Sequence, residues 1–262
     1  MTEEQITKMA AEVAKILAKD IYGDALKPGM TQIGKAIETV LGLGNTVLTP
    51  IAMVNDKVKN IREKNLIRLE SKLKEIEPAK IADIHPEIAV PVLRKLDYTE
   101  NEDLANLFLN LLKTAANIDT AHLAHPAFVN LISNISPDEA KILNFMSKGE
   151  CLCHINIKTN NINGSFSSFG LYTTILEFED ILQFKTNSKI YLSNLIGLGI
   201  ISDFASPKNH PQISKIEEFL SPEWKRLSEL STIKNQKFIR GSYALTDFGE
   251  LFVKCCTKND EL

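Results

Sequence analysis

Apolar residues recur at helical spacing through the first half of the chain. The stretch "EDLANLFLNLLKTAANI" is almost continuously apolar and predicts a helix that is buried on most sides. Thr49 and Pro50 are typical of an N-cap followed by proline at the first helical position, so a long helix is predicted from there to Glu77. The opening segment places five apolar residues on one helical face: Ile6, Met9, Val13, Ile16 and Leu17.

Capping residues and prolines predict where the other helices begin. The Thr99-x-x-Glu102 pattern is a capping box ahead of the apolar helix. Ser136 and Glu139 form a second capping box, and Gly149 ends the helix that follows. Pro126 starts a helix between these two. Three prolines are expected to cut residues 78–93 into short pieces, because proline disrupts a helix interior: Pro78, Pro86 and Pro91.

After Gly149 the pattern changes to a mixture of strands and helices. Residues 159–170 are polar, rich in Gly and Ser, and predict a loop, whereas residues 171–184 fit a strand or a helix equally well. The remaining predictions are strands over 151–158, 200–205 and 237–246, a helix over 188–199 that glycine ends, a short helix over 222–230, and a last helix from Thr246 to about Cys256.

The order of these elements is that of a winged helix-turn-helix. The strongest local sign is a helix that ends in "LIGLGII". It is followed later in the chain by a strand that leads into Leu245-Thr246-x-x-Gly249. The connection from Ala205 to Phe238 is far longer than an ordinary wing. We therefore predict a mainly α fold, with an N-terminal multi-helix domain over residues 1–135. An α+β winged-helix-like C-terminal domain with long insertions is predicted over residues 136–262.

Composition and charge give no general preference for nucleic acid. The 262 residues are 44% hydrophobic and carry a net charge of −3, as in an ordinary soluble protein. Duplex binding needs cations at the groove, and the helix over 188–199 and its approach offer few candidates: Lys185, Lys189, Ser193 and Asn194. Its apolar residues are predicted to lie in the core: Tyr191, Leu192, Leu195 and Ile196. A protein contact or a purely structural role is therefore preferred to duplex binding as the use of this domain.

The segment from Ile33 to Val54 is the most apolar part of the chain. Its length would suffice to span a bilayer, for which about 20 residues are enough. It also contains Lys35, Glu38, Pro50 and several glycines, which favour a buried helical hairpin. A segment that inserts into a membrane on activation is the alternative.

Candidate catalytic and metal-binding residues form no recognisable site. The four cysteines lack C-x-x-C spacing and predict free thiols in a reducing cytoplasm: Cys151, Cys153, Cys255 and Cys256. The acidic, amphipathic N-terminus is unlike a secretory signal. His122-x-x-His125 and His85-Pro86 are better explained as structural or capping residues than as metal ligands. With no nucleophile motif present, we expect no enzymatic activity, no cofactor and no metal.

Three short pieces between Ile84 and Leu143 resemble a known family. They are Glu102-Asp103-Leu104, His125-Pro126-Ala127-Phe128-Val129 and Ser136-Pro137-Asp138-Glu139-Ala140. The stretch "YGDALKPGMTQIGKAI" fits as well, and the likeness extends from about Ile21 onward. In these pieces the chain resembles the abortive-infection alpha family. The resemblance implies a mainly helical bacterial protein linked with phage defence, and it brings no catalytic signature.

The resulting hypothesis is a cytoplasmic, non-enzymatic binding or sensing protein of phage defence whose partner is a protein. Two alternatives stay open. One is a membrane-active effector that uses the Ile33–Val54 segment. The other is a DNA-binding winged-helix protein that uses Lys185, Lys189, Ser193 and Asn194.

Overall fold

Helices dominate the structure, a computed structural model that describes residues 56–149, 152–160, 166–172, 181–204 and 236–257. The mainly helical fold is confirmed. Backbone contacts divide the chain into two compact units, Met1–Asn130 and Leu131–Leu262. The predicted division into two domains after residue 135 stays a prediction.

Four helices lie in the described part of the first unit, and the last of them extends beyond its final residue, Asn130. They are α1 (Asp56–Leu73), α2 (Pro86–Leu96), α3 (Glu102–Ala116) and α4 (Ala127–Ser133), with short 3₁₀ turns at Pro78–Lys80 and Ala121–Leu123. The core includes Leu107 and Leu111, which are almost fully buried. The prediction that the Leu- and Phe-rich helix is mostly buried is confirmed.

A row of polar contacts joins α1, and Glu75 just after it, to α3. Each contact links residues that are 38 apart in sequence: Lys64 to Glu102 at 2.7 Å, Arg68 to Asn106 at 2.8 Å, Lys72 to Asn110 at 2.6 Å, and Lys113 to Glu75 at 2.6 Å. A constant separation requires the two helices to run parallel, because residues on both advance together turn by turn. The intervening helix α2 provides the return path that parallel neighbours need.

The structure corrects two predictions about helix ends in this unit. The N-cap of α3 is Asn101, whose side chain accepts from the N–H of Leu104 at 3.1 Å, not Thr99. The Thr99 hydroxyl instead donates to the carbonyl of Lys95 at 2.7 Å, because Thr99 closely follows the end of α2. The long helix ends at Leu73, before Glu77.

Pro91 lies inside α2 instead of cutting it. The N–H that proline lacks would have donated to the carbonyl of Glu87, four residues earlier. Glu87 is an exposed residue of the first turn, where water can reach the backbone. The loss of one hydrogen bond there is therefore tolerated, and α2 continues to Leu96.

The second unit combines helices with an antiparallel sheet. Its described elements are α5 (Pro137–Met146), β1 (Leu152–Asn160), β2 (Phe166–Tyr172), α6 (Ser188–Gly197), β3 (Ile201–Phe204), β4 (Gln236–Leu245) and α7 (Asp247–Cys256). The strand order is β2-β1-β4-β3. Tyr243 on β4 is opposite Leu152 on one side and Asp203 on the other, and its side chain is buried. Burial raises the pKa of the Tyr243 hydroxyl, and the charge of Asp203 adds to this effect.

The predicted strands β1, β3 and β4 and the predicted helices α5, α6 and α7 are confirmed. The loop predicted over residues 159–170 is wrong where the structure describes it, because β1 continues to Asn160 and β2 begins at Phe166. The pairing of Lys158 with Ser168 and of Asn160 with Phe166 makes this polar stretch a hairpin partner of β1. Composition alone favoured a loop, and strand pairing overrode it.

A close backbone approach joins the end of α6 to the start of α7. A Cβ at Gly249 would lie 1.9 Å from the carbonyl oxygen of Ile200, so only glycine fits there. The Thr246 hydroxyl donates to the carbonyl of Gly199 at 2.7 Å and accepts from the N–H of Gly249 at 2.9 Å. Gly199 itself has a φ of +72°, a conformation that favours glycine. The pattern Leu245-Thr246-x-x-Gly249 therefore has a structural cause.

Several predictions lie outside the described residues. They are the first helix, the Ile33–Val54 segment, the N-terminal part of the long helix, and the short helix over 222–230. In the described ranges between residues 56 and 257, no helix has the length and apolar character needed to cross a membrane.

Candidate functional site

Helix α6 has a buried face and an exposed face. Ser188, Tyr191, Leu192 and Leu195 are buried, at the spacing of one helical face. The remaining exposed side, which we call the α6 outward face, consists of Lys189, Ile190, Ser193, Ile196 and Gly197. Ile190 is 65% exposed and Ile196 is 41% exposed. The prediction that Ile196 lies in the core is wrong, because Leu195 and Ile200 occupy the positions that face inward.

The structure separates the four candidate nucleic-acid residues. Lys185, in a 3₁₀ turn before α6, is exposed, as are Lys189 and Ser193. Asn194 is instead turned inward, where its amide donates to the carbonyl of Asn134 at 2.8 Å and to Oε1 of Glu139 at 2.7 Å. These partners lie 60 and 55 residues earlier in the chain, so no local sequence pattern predicts the two hydrogen bonds.

Glu139 serves two elements at once. Its Oε2 accepts from the N–H of Ser136 at 2.5 Å, while the Ser136 hydroxyl accepts from the N–H of Glu139 at 3.3 Å. The predicted capping box at the start of α5 is therefore confirmed. Since the other carboxylate oxygen binds Asn194, the same residue ties the start of α5 to α6.

Asp138 is a buried carboxylate that sequence reasoning missed. It accepts from the backbone N–H groups of Gln183 at 2.8 Å and Phe184 at 2.9 Å, and from the Tyr191 hydroxyl at 3.1 Å. Lys141, 3.1 Å away, supplies a positive charge. Burial alone would raise the pKa of the Asp138 carboxyl, but these hydrogen bonds hold its pKa below the ordinary value. The only local signal is the position of Asp138 in the first turn of a helix. An acid at that position is expected to interact with the helix dipole, not with a distant partner.

The contacts of Asp138 shape the approach to the α6 outward face. They fix the main chain of residues 183 and 184, yet the Phe184 side chain stays 56% exposed. Ile181 just before it is also exposed. The segment that leads into α6 thus presents the apolar side chain of Phe184 from a held backbone. A held, exposed apolar surface is suited to contact with another protein.

His85 and His125 act as local caps. Nδ1 of His85 accepts from the N–H of Glu87 at 3.4 Å, and Nδ1 of His125 accepts from the N–H of Ala127 at 3.1 Å. In each case a proline without an N–H stands between donor and acceptor. The His122 side chain is exposed. Over the described residues, no three His, Cys, Asp or Glu side chains converge as metal ligands would.

Two of the four cysteines have described side chains. Cys255 and Cys256 are free thiols and both are buried. Burial raises the pKa of the Cys256 thiol, and its neighbour Cys255 adds to the effect. A buried neutral thiol is a poor nucleophile. The prediction of free thiols is confirmed for these two residues.

Fold and surface together describe a mainly helical protein whose second unit exposes part of a helix beside an antiparallel sheet. The family model described as abortive infection alpha matches residues 61–256, which is most of the chain. The chain therefore belongs to the abortive infection alpha family. The match begins later than about Ile21, where the resemblance was expected to start. It includes the Ser136–Ala140 piece, whose Ser136, Asp138 and Glu139 hold α5 to α6 and its approach.

No curated protein matches the chain at a significant level. Among solved structures, an uncharacterized protein from the hydrocarbon-degrading marine bacterium Alcanivorax borkumensis SK2 is similar at 15% sequence identity. The similarity covers 54% of this chain and 96% of that one, with a TM-score of 0.32.

Proposed function

We propose that this protein acts in abortive infection by binding a protein partner through the α6 outward face, without catalysing a reaction. The family connects the chain with abortive infection. The site of action is the bacterial cytoplasm, and the second unit serves as a winged-helix-like binding module. The membrane-active alternative depends on Ile33–Val54, which lies outside the described residues, and it stays a hypothesis.

The sheet supports the winged-helix-like arrangement. In a winged helix the first strand pairs with the third, and the third pairs with the second. Here β1 pairs with β4, and β4 pairs with β3. Strand β2 adds a further strand beside β1. With α5 before the sheet and α6 directly before β3, α6 takes the position of the recognition helix.

The observation that carries the proposal is the exposure of Ile190 in the first turn of that helix. A helix that reads duplex DNA presents cations and amides to phosphates and base edges. On α6, the amide of Asn194 is turned inward, and two of the five residues of the outward face are exposed isoleucines. Protein interfaces are apolar at their centre and polar at their rim. Two exposed isoleucines and a single lysine on the α6 outward face fit a protein interface better than they fit a groove in DNA.

The test compares two isoleucine variants of the full chain, produced with an affinity tag in a bacterial host. Ile190→Glu places a charge on the α6 outward face. Ile67→Glu is the matched control, because Ile67 is 53% exposed on helix α1 of the other unit. During phage infection, we expect Ile190→Glu to lose the captured partner protein and the protection of the culture. The control should keep both.

Both variants are expected to fold, since both positions face solvent, and thermal unfolding checks this. The proposal is contradicted when folded Ile190→Glu retains partner and protection. It is equally contradicted when Ile67→Glu loses them to the same extent, because the effect is then not specific to α6.

A further inference from the structure

Phe184 combines an exposed aromatic ring with a main chain that is bonded on both sides. Phe184 is 56% exposed, whereas Leu182, two residues earlier, is buried. The N–H of Phe184 donates to the Asp138 carboxylate at 2.9 Å, and its carbonyl accepts from the N–H of Asn187 at 3.0 Å. Because both backbone groups are hydrogen-bonded, the fold fixes the direction in which the ring leaves the main chain.

The fixation depends on a carboxylate that is itself almost fully buried. Asp138 is 2% exposed, and it also accepts from the N–H of Gln183 at 2.8 Å and from the Tyr191 hydroxyl at 3.1 Å. Removing a charge from water is costly and is tolerated where hydrogen bonds replace the lost hydration. Two of these bonds come from the main chain of residues 183 and 184, so the buried charge holds the same short segment that exposes the ring.

An exposed ring on a fixed backbone has the properties of an interface anchor. Aromatic residues are enriched at protein interfaces, and a few anchors that fill pockets of the partner carry most of the binding energy. Ordering a flexible segment reduces affinity, and a segment that is already held avoids this loss. Phe184 meets both conditions, since its ring is exposed and its main chain is held.

The surroundings of Phe184 in the chain indicate the shape of the partner. Its neighbours Gln183, Lys185 and Thr186 are exposed and polar. The exposed isoleucines nearest in sequence are three and six residues away. A single ring between polar residues fits a pocket better than it fits a broad apolar surface.

We propose that Phe184 is the anchor residue of partner binding and that its ring enters an apolar pocket of the partner protein. Asp138 is a positioning residue that acts through Phe184. This inference rests on the proposed function. It extends the binding surface from the α6 outward face to the segment before α6, and it states the shape that the partner must supply.

The experiment uses the full chain with the photoreactive amino acid benzoylphenylalanine in place of Phe184, in a bacterial host during phage infection. The same replacement of Tyr98 is the control, because Tyr98 is 57% exposed and belongs to the other unit. Illumination should crosslink residue 184, but not residue 98, to the protein that the tagged chain captures. Mass spectrometry identifies that protein and the crosslinked peptide.

The partner identified in this way, once purified, is the probe for binding measurements. Phe184→Ala should weaken its binding by about 30-fold or more, as expected for an interface anchor. Phe184→Leu keeps an apolar side chain and should retain part of the affinity, and Tyr98→Ala should change little. Asp138→Asn should weaken binding too, but not when Phe184→Ala is already present, because a positioning residue acts only through the ring that it positions.

Thermal unfolding checks that each variant is folded. If Asp138→Asn unfolds, Tyr191→Phe replaces it, since that change removes only one hydrogen bond to Asp138. Equal crosslinking at both residues, none at residue 184, or full binding by Phe184→Ala would overturn the anchor, while an Ile190-dependent capture would leave the proposed function standing. Additive effects of Asp138→Asn and Phe184→Ala would overturn the positioning role. If the tagged chain captures no protein, the proposed function fails, and this inference fails with it.

Discussion

The carboxylate of Asp138 accepts the backbone N–H of Phe184 at 2.9 Å across 46 residues of sequence. Through this bond and the one to Gln183, the first turn of α5 holds the main chain that leads into α6. The exposed Phe184 side chain is therefore presented by a fixed backbone. One buried charge thus organises the approach to the proposed binding surface.

The first prediction concerns Asp138. Asp138→Asn should lower the free energy of unfolding at neutral pH by about 2–4 kcal/mol, because an amide cannot accept from two N–H groups and a hydroxyl as a carboxylate does. Because the folded pKa lies below the ordinary value of 3.8, the stabilisation is complete above that value and is lost as the pH falls through the folded pKa. The difference between variant and unmodified chain should therefore shrink in acid.

Urea unfolding at pH 7 and at pH values below 3.8 measures this difference. Asp83→Asn, at an exposed position, is the control and should change little. A difference that persists unchanged in acid would show that the lost packing, and not the charge, accounts for the effect.

The second prediction concerns the core of the first unit. Leu107→Ala removes a side chain that is almost fully buried and should cost about 2–5 kcal/mol of unfolding free energy. The exposed Ile67→Ala change on α1 should stay within about 0.5 kcal/mol. Thermal unfolding compares them, and an unchanged melting temperature for Leu107→Ala would be incompatible with its placement in the core.

The third prediction contrasts two helical glycines. Gly249→Ala should destabilise the protein by at least about 1–3 kcal/mol, because the added Cβ meets the backbone of Ile200 and must displace it. Gly197→Ala should be neutral or stabilising by up to about 1 kcal/mol. Melting temperatures of the two variants decide this, and equal losses would mean that residue 197 is also sterically constrained.

The fourth prediction concerns nucleic acid. A gel shift with duplex DNA at micromolar protein and physiological salt should show no complex, because the α6 outward face offers one lysine and two exposed isoleucines. A complex that weakens steeply with added salt would reverse this conclusion. Lys185→Ala and Lys189→Ala would then be expected to weaken it further.

Local interactions could be predicted from the sequence wherever both partners lie within a few residues of each other. The capping box of Ser136 and Glu139, the start of the last helix at Thr246, the glycine stop at Gly199 and the helix through Leu107 all belong to this class. Such features depend on hydrogen bonds or periodicity over one or two turns. The mainly helical fold followed from them, and so did the order of the described strands and helices around α6.

The tertiary structure decided which way the functional candidates point. Asn194 faces inward because Glu139 and Asn134 accept from its amide, and Ile196 faces outward because other residues fill the core. Residues 166–170 form a strand because β1 pairs with them. In each case the deciding partner lies outside the local pattern or is another side chain competing for the same buried space. Sequence periodicity reports the preference of a segment, whereas packing and long-range hydrogen bonds determine which face is left for a partner.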